Sequence, residues 1–418
     1  MTGIFGREDE LFSRTVAIRK AGHAHRREDA ASHQQKRTLI YKLGVGCDPV
    51  TLAAYISTKS DGSLDVREIP NAPFAVIVRE RNRPAFRRGT TMEEAGDPDM
   101  LPPGHVLLSD DDFLTIEHDK SVVVISPEPD GDVPFTVELV VLRNVAADSR
   151  DSPALYRWLV SVVDQAVDER RDVRPPSEGK LVQTGLNLGP RHARVIGWAK
   201  SFTRKLSPDD MIAHDEDVIG AASLMWAIMQ SILPTEVIGP IEAGMDHDWM
   251  PSIATRNVPA GDGYKIAVNG RIYAFPAAKR GPPTTYLSRG YSAKTHIDRS
   301  LYSWCISWTV AREIQNTAVQ AGDKRSAGDM CSGPPGGGAN FVDVTLGIIV
   351  KNAARTAMAF RPGYQHGTTA CHGAINRGLT NNFDEAPGKA LLELRNSGKS
   401  WGITHRGQVL EIPMMLIC

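Results

Sequence analysis

The sequence predicts an α+β protein in which helices of the N-terminal half support an all-β C-terminal half. Two segments before residue 235 combine helix-start signals with apolar residues at helical spacing. From about residue 236 onward, short β-branched and aromatic runs alternate with glycine and proline turns. Several short strands at this spacing indicate a β-sandwich or barrel.

The first predicted helix begins at Ser152-Pro153, because serine is a favoured N-cap residue and proline is favoured in the first turn. Residues 172–176 end it. The second helix begins at Ser207-Pro208 and stops before Pro234. Its apolar stripe contains Met and Trp at helical spacing, which predicts core packing rather than a cofactor site. The two stripes are Leu155, Leu159, Val162, Val163 and Val167, and Val218, Ala222, Met225, Trp226 and Met229.

The predicted strands are β-branched runs bounded by turn residues. Residues 121–126 and 135–143 form two such runs, separated by the loop sequence PEPDGDVP. Helical periodicity is weak in the C-terminal half, except over residues 310–321, where we expect a helix. The expected strands of that half are YKIAV, RIYAF, LYSWCISWTV, NFVDVTLGIIV, TAMAFRP, KALLEL and QVLEI.

The composition excludes several classes of protein. The chain is 41% hydrophobic and 23% charged, as in ordinary globular proteins. It contains no run of about 18 apolar residues, so the sequence predicts no transmembrane helix. The first residues lack the apolar stretch of a signal peptide, so we expect a nuclear or cytoplasmic protein. Five cysteines without a C-x-x-C motif argue against a disulfide framework or a structural zinc site. With a net charge of −1, any polyanion must be held by a local basic patch.

A length of 418 residues allows two or three domains. We expect a basic arm over residues 1–45, a mixed α/β region with supporting helices over 46–235, and the β-rich core over 236–418. The arm carries seven lysines and arginines against two acids between Leu11 and Ile40. It fits either a solvated helical arm or a segment for nuclear import or nucleic-acid contact.

The chemistry is concentrated in the β-rich part, where His296-Ile297-Asp298 precedes a predicted strand. In extended chain, residues i and i+2 point to the same face, so both side chains can reach one metal ion. His366 follows another predicted strand and can supply a third ligand. Two histidines and one carboxylate form the facial triad that leaves three positions open on non-haem Fe(II). Arg377, eleven residues further on, can clamp a carboxylate ligand with its planar guanidinium.

Other assignments compete with this set. His214-Asp215-Glu216 has the same spacing, but it lies before a helical stripe, where residues i and i+2 diverge by about 200°. His372 is an alternative third ligand, and Asp246-His247-Asp248 fits a solvated turn. Arg361 and Arg395 rival Arg377 for the carboxylate. His296 and Asp298 can also simply pair with each other at a strand start.

In this arrangement the sequence resembles the 2-oxoglutarate/Fe(II)-dependent dioxygenases with a double-stranded β-helix (jelly-roll) core. The matching stretch runs from about Tyr264 to Arg395 and reads THIDRSLYSWCISW, GGGANFVDVTLGIIV, AMAFRPGYQHGTT and INRG. The pattern of glycine turn, short strand and pGxxHGT is similar to the fungal TET/JBP-like branch, which oxidises methyl groups on nucleobases. The N-terminal 230 or so residues resemble no family that we can name.

The resemblance implies that His296, Asp298 and His366 bind Fe(II) and that Arg377 binds 2-oxoglutarate. It implies a reaction with dioxygen that oxidises 5-methylcytosine to 5-hydroxymethylcytosine and beyond, or demethylates N6-methyladenine, in DNA. A base in a duplex must leave the stack to be oxidised, and phosphate grips and aromatic groups then hold it. The candidate DNA-facing lip is a basic run without acids, Lys279, Arg280, Tyr286, Arg289, Tyr291 and Lys294.

Three functions therefore stay open on the sequence. The first is a dioxygenase of methylated DNA bases, with the duplex as its partner. The second is a 2-oxoglutarate-dependent hydroxylase of a protein side chain or small metabolite, in which the basic run is incidental. The third is a β-sandwich structural protein without enzymatic activity, in which His296, Asp298 and His366 do not converge.

Overall fold

A computed structural model describes residues 49–81, 86–147, 152–187, 197–199, 202–204, 206–248, 264–268, 271–275, 282, 284–314, 337–396, 402–403 and 409–410. The predicted arm over residues 1–45 lies outside the described residues. The α-helices are α1 (Ser152–Glu169), α2 (Pro208–Ile232), α3 (Thr235–His247) and α4 (Glu385–Asn396).

The strands are mostly short, and the α+β class predicted from the sequence is confirmed. Two 3-10 turns, Leu52–Ala54 and Pro98–Met100, accompany them. The strands are β1 (Ile56–Thr58), β2 (Leu64–Val66), β3 (Ala75–Val78), β4 (Thr91–Glu93), β5 (His105–Leu107), β6 (Leu114–Ile116), β7 (Val122–Pro127), β8 (Phe135–Leu142), β9 (Glu178–Asn187), β10 (Gly197–Trp198), β11 (Tyr264–Val268), β12 (Arg271–Phe275), β13 (Thr284–Ser292), β14 (Cys305–Ile314), β15 (Phe341–Asp343), β16 (Ile348–Val350), β17 (Thr356–Phe360), β18 (His366–Thr368), β19 (Ala374–Asn381), β20 (Gly402–Ile403) and β21 (Val409–Leu410).

Two sheets organise the molecule. The major sheet has nine strands in the order β10-β9-β13-β19-β14-β17-β8-β7-β3, and the minor sheet has four in the order β18-β15-β16-β6. Strands from both sides of residue 235 share each sheet: β8 pairs with β17, and β6 pairs with β16. The β core therefore extends beyond residues 236–418 into the region expected to supply supporting helices.

Alternating side chains of the major sheet fill two separate cores. On strand β7, Val123 and Ile125 belong to the core under the helices, whereas Val122 and Val124 belong to the core under the minor sheet. Strand β17 divides in the same way. The layers are therefore helices, major sheet and minor sheet, and both faces of the major sheet are buried.

The helical layer follows its sequence signals. Ser207 caps α2, since its hydroxyl accepts a hydrogen bond from the amide of Asp210 at 3.1 Å. The apolar stripe of α1 is buried, and Met225 and Trp226 of α2 are fully buried in the same core. The interpretation of the Met/Trp stripe as core packing is confirmed.

Three local predictions fail. Residues 310–314 continue strand β14 instead of opening a helix, and 315–321 lie outside the described residues. The run KALLEL lies in helix α4, because a short apolar run of good helix formers cannot be assigned by periodicity alone. Helix α3 was not expected, since Pro240 and two glycines interrupt its pattern. None of the described helices is long and apolar enough to cross a bilayer.

Candidate metal centre

The backbone brings the three predicted ligands together. His296 and Asp298 lie between β13 and β14, and His366 opens β18. His296 and His366 form an isolated antiparallel bridge in which each amide donates to the carbonyl of the other, at 2.8 and 2.9 Å. The amide of Asp298 donates to the carbonyl of Pro362 at 2.9 Å. Main-chain hydrogen bonds thus join two segments that are distant in the sequence, since His296 and His366 are 70 residues apart.

The side chains converge on one point. The two imidazole centroids are 4.4 Å apart. Asp298 places Oδ1 3.5 Å from Nε2 of His296 and Oδ2 3.6 Å from Nε2 of His366. Donors bound to one ion at about 2 Å lie roughly 3 Å apart for perpendicular bonds and 4 Å for opposite bonds. The observed separations fall within that range, so the three residues fit a shared metal ion.

Hydrogen bonds to backbone carbonyls orient both imidazoles in the same way. Nδ1 of His296 lies 2.7 Å from the carbonyl of Lys294, and Nδ1 of His366 lies 2.8 Å from the carbonyl of Tyr364. A carbonyl can only accept, so each Nδ1 carries the proton. When the imidazole is neutral, its Nε2 carries the lone pair, and this is the form that binds metal.

The electrostatics of the triad favour a cation. Burial raises the pKa of Asp298, but hydrogen bonds and charge from His296 and His366 outweigh it and hold the pKa below its usual range. Burial lowers the pKa of His296, but Asp298 raises it more strongly, so the pKa lies above its ordinary value. Protons on the imidazoles therefore compensate the negative charge of Asp298, a role that a bound metal ion would take over.

A short strand behind the triad holds both ligand segments. Thr295 exchanges backbone hydrogen bonds with Gly89 and Thr90 at 2.8 and 2.9 Å, and the amide of Ala370 donates to the carbonyl of Met92 at 2.9 Å. Gly367 lies at the crossing, where a Cβ would meet the carbonyl oxygen of Ala293 at 2.8 Å. A glycine next to His366 therefore permits this close approach.

Strand β4 also accounts for His372. Its Nε2 lies 2.7 Å from Oε2 of Glu93, whose Oε1 lies 2.8 Å from Nδ1 of His105. Glu93 is only 1% exposed. His372 is thus tied to a buried carboxylate behind the triad, and the alternative that made it the third ligand is wrong.

A cavity of about 760 Å³ adjoins the triad. On one side, the rings of Phe341 and Phe360 lie 5.9 and 5.0 Å from the ring of His366. The lining also contains the polar residues Tyr286, Thr380 and Asp384. The cavity therefore combines aromatic rings beside His366 with hydrogen-bonding groups elsewhere in its lining.

The structure places Arg377 away from this cavity. Asn376 and Gly378 of β19 line the cavity, whereas Arg377 between them points to the helical face of the sheet. Its Nε donates to the carboxylate of Asp164 on α1 at 2.8 and 3.0 Å. The strand's two-residue period decides this face, so the expected contact of Arg377 with a ligand beside the triad is not made.

The residues of the predicted DNA-facing lip do not all face the cavity either. Arg289 lies directly across from Arg377 and pairs with Asp164 and Asp168 of α1. Tyr291 lines the cavity, and Lys294 is exposed just before His296. Lys279 and Arg280 lie outside the described residues. Arg289 of the predicted lip thus faces α1 and not the cavity.

Sequence reasoning missed the guanidinium groups that do line the cavity. These are Arg174, in the loop after α1, and Arg299, directly after the His-x-Asp motif. Adjacency to the motif could have pointed to Arg299. Nothing in the local sequence marks Arg174, because the pairing of β9 with β13 brings it to the cavity.

The remaining rival assignments have structural explanations. His214 and Asp215 contact the buried Arg170. Asp248 accepts a hydrogen bond from the hydroxyl of Tyr302 at 3.0 Å. Arg361 donates to the carbonyl of Val137 and stacks over the ring of Trp304 at 3.9 Å. The side chain of Arg395 lies outside the described part of the chain.

No protein-family model matches the chain, and no curated protein matches it. Among solved structures, one match is NgTET1 in complex with 5mC DNA, with a TM-score of 0.37 and 12% sequence identity. It covers 69% of this chain and 89% of the NgTET1 chain. We infer function from the triad and its cavity and not from this likeness.

Proposed function

We propose that the protein is a 2-oxoglutarate- and Fe(II)-dependent dioxygenase that oxidises methyl groups on methylated bases in DNA, built on a double-stranded β-helix core. The observation that carries the proposal is the convergence of His296, Asp298 and His366 on one point beside a cavity. Two neutral imidazoles and one carboxylate are the donor set of non-haem Fe(II) sites with open positions. A β-sandwich without activity gives no reason for this convergence.

The residues of the chain hold and shield the reaction centre. His296, Asp298 and His366 would hold the ion. The carbonyls of Lys294 and Tyr364 fix the orientation of the two imidazoles. When bound, Fe(II) and 2-oxoglutarate supply the oxidising power to hydroxylate a C–H bond at the expense of dioxygen. Phe341 and Phe360 exclude water next to His366, which protects the reaction from side reactions with solvent.

The cavity suits a dianionic co-substrate and one base. Its volume of about 760 Å³ lies within the usual range for small-molecule sites. With Arg377 turned away, Arg174 and Arg299 replace it as candidates to bind the distal carboxylate of 2-oxoglutarate, because both line the cavity. A guanidinium binds a carboxylate through two parallel hydrogen bonds.

A nucleic-acid substrate is supported by the groups around the cavity. Lys294 and Arg299 are exposed on either side of His296 and can contact phosphates. Tyr286 and Tyr291 line the cavity and offer aromatic surface to a base that has left the stack. Binding through phosphates predicts that affinity for DNA falls steeply as salt concentration rises.

The test is product analysis of methylated oligonucleotides. The protein is incubated with Fe(II), ascorbate, 2-oxoglutarate and duplexes that carry 5-methylcytosine or N6-methyladenine, and the digested nucleosides are quantified by mass spectrometry. We expect 5-hydroxymethylcytosine or demethylated adenine. The matched control is the double variant His296→Ala/Asp298→Ala, which should form neither product nor succinate.

Two outcomes would redirect the proposal. Succinate formation by the wild type without oxidation of any base favours the hydroxylase of a protein side chain or small metabolite. Full turnover of 2-oxoglutarate by the double variant eliminates the triad as the iron site.

A further inference from the structure

A fully buried acid lies on β8 and is not one of the three residues that converge on the metal position. This acid is Glu138, which is 0% exposed. It is the extra residue of a β-bulge, since Val137 and Leu139 pair with consecutive residues of β7. A bulge turns a side chain out of the regular alternation of a strand, and bulges are frequent next to active sites. The bulge therefore sets the direction of this carboxylate.

Two guanidinium groups and one hydroxyl surround the carboxylate of Glu138. Nε of Arg81 donates to Oε1, and the hydroxyl of Tyr364 donates to Oε2 at 2.8 Å. Nε of Arg361 lies 3.9 Å from the same Oε2. A buried charge is costly unless it is paired and hydrogen-bonded. Glu138 and its partners are therefore held together, because moving any of them away leaves the buried carboxylate less well compensated.

The turn before His366 contacts two of the three metal ligands through its backbone. The amide of Tyr364 donates to the carbonyl of Arg361 at 3.0 Å and closes the turn. The carbonyl of Pro362 accepts from the amide of Asp298 at 2.9 Å. The carbonyl of Tyr364 lies 2.8 Å from Nδ1 of His366. A shift of this turn therefore moves or releases both ligands.

We propose that Glu138 is a positioning residue that acts on the metal centre through Arg361 and Tyr364. These two residues are the ends of the turn, and both of their side chains contact the carboxylate of Glu138. The carboxylate anchors the turn, and the carbonyls of the turn hold two of the ligands. This inference rests on the metal site of the proposed function but not on the identity of the substrate.

The test is the affinity of two conservative variants for cobalt(II), used as a probe for Fe(II). Glu138→Gln keeps the size of the side chain and removes its charge, and Tyr364→Phe removes only the hydroxyl. Each should weaken cobalt binding by about 10-fold, the lower end of what losing a group behind a metal ligand costs. The visible absorption of the bound cobalt should also shift, because the imidazole of His366 is less firmly oriented. Circular dichroism shows that each variant is folded during the titration.

The matched control is Tyr302→Phe. The hydroxyl of Tyr302 also donates to a carboxylate, that of Asp248 at 3.0 Å, but neither residue belongs to the turn. This variant should keep the wild-type cobalt affinity and spectrum. The double variant Glu138→Gln/Tyr364→Phe tests whether the two residues act along one path. It should lose about as much affinity as Glu138→Gln alone, because residues that share one interaction are not additive.

A loss of stability without a loss of metal affinity overturns the role of Glu138. Variants that unfold more easily but bind cobalt with the wild-type affinity and spectrum show that Glu138 only stabilises the fold. If Glu138→Gln does not fold, Tyr364→Phe decides the question, because it leaves the ion pairs of the carboxylate in place. A wild type that binds no cobalt overturns the metal site of the proposed function itself. A wild type that binds cobalt but oxidises no base overturns the proposed substrate and not the role of Glu138.

Discussion

Two histidine–carboxylate clusters of this chain have similar sequences and different structures. In the helical layer, Nε2 of His214 accepts from Nε of Arg170 at 2.9 Å, and Nδ1 lies 3.0 Å from Glu169. In the cavity, Nε2 of His296 and of His366 both face Asp298. The first cluster contains its own cation, whereas the second directs three possible metal ligands toward one point.

The comparison shows that the spacing of residues in the sequence matters less for metal binding than whether their ligand atoms already have protein partners. Arg170 is 0% exposed and donates to His214 and Asp215, so every polar group of that cluster has a protein partner. The triad instead has both Nδ1 atoms bonded to carbonyls and both Nε2 atoms directed at a carboxylate. Only the triad would therefore be stabilised by binding a metal ion.

The largest expected difference between the clusters is in metal affinity. His366→Ala should weaken binding of cobalt(II), used as a probe for Fe(II), by more than about 100-fold, since even losing a group behind a ligand costs roughly 10–100-fold. His214→Gln should leave the affinity unchanged. Absorption titration of both variants measures this, and equal affinities would refute the assignment of the triad.

Arg170→Met should destabilise the protein by about 3–5 kcal/mol, because it leaves the partly buried carboxylate of Asp215 without its cation and removes the hydrogen bond to the buried His214. Metal affinity should not change in the folded protein, since Arg170 lies in the helical layer. Chemical denaturation gives the free energy of unfolding. A loss below about 1 kcal/mol would show that the helical cluster does not stabilise the fold.

The two clusters should also differ in their response to acid. Burial, with the charge of Arg170 next, lowers the pKa of His214 to about 4, whereas an unfolded histidine titrates near about 6.5. His214 therefore contributes stability that is present above pH 6.5 or so and is lost as pH falls toward 4. At roughly 1.4 kcal/mol per pKa unit, the loss is about 3 kcal/mol.

Comparison of His214→Gln with the wild type isolates this term, because carboxylates titrate in both proteins. The difference in unfolding free energy between the two should shrink steadily from pH 7 to pH 4. A difference that does not depend on pH would mean that His214 is not held neutral in the folded protein.

The smallest effect concerns Arg377. Arg377→Gln should cost no more than about 1 kcal/mol, because its ion pairs with Asp164 and Glu313 lie at the edge of the solvent. The KM for 2-oxoglutarate should stay at its wild-type value, whereas Arg174→Gln or Arg299→Gln should raise it. A KM that rises only in Arg377→Gln would restore the original sequence assignment.

The α+β class, the starts of α1 and α2 and the three residues of the triad could be predicted from the residues alone. Caps and turn residues act within a few positions, and a His-x-Asp pair in extended chain shares a face by local geometry. Which arginines reach the cavity could not be predicted, because it depends on how distant strands pair. Arg377 faces α1 because the pairing of β19 with β13 and β14 fixes its side of the sheet, and Arg174 and Asp384 reach the cavity through contacts between distant segments.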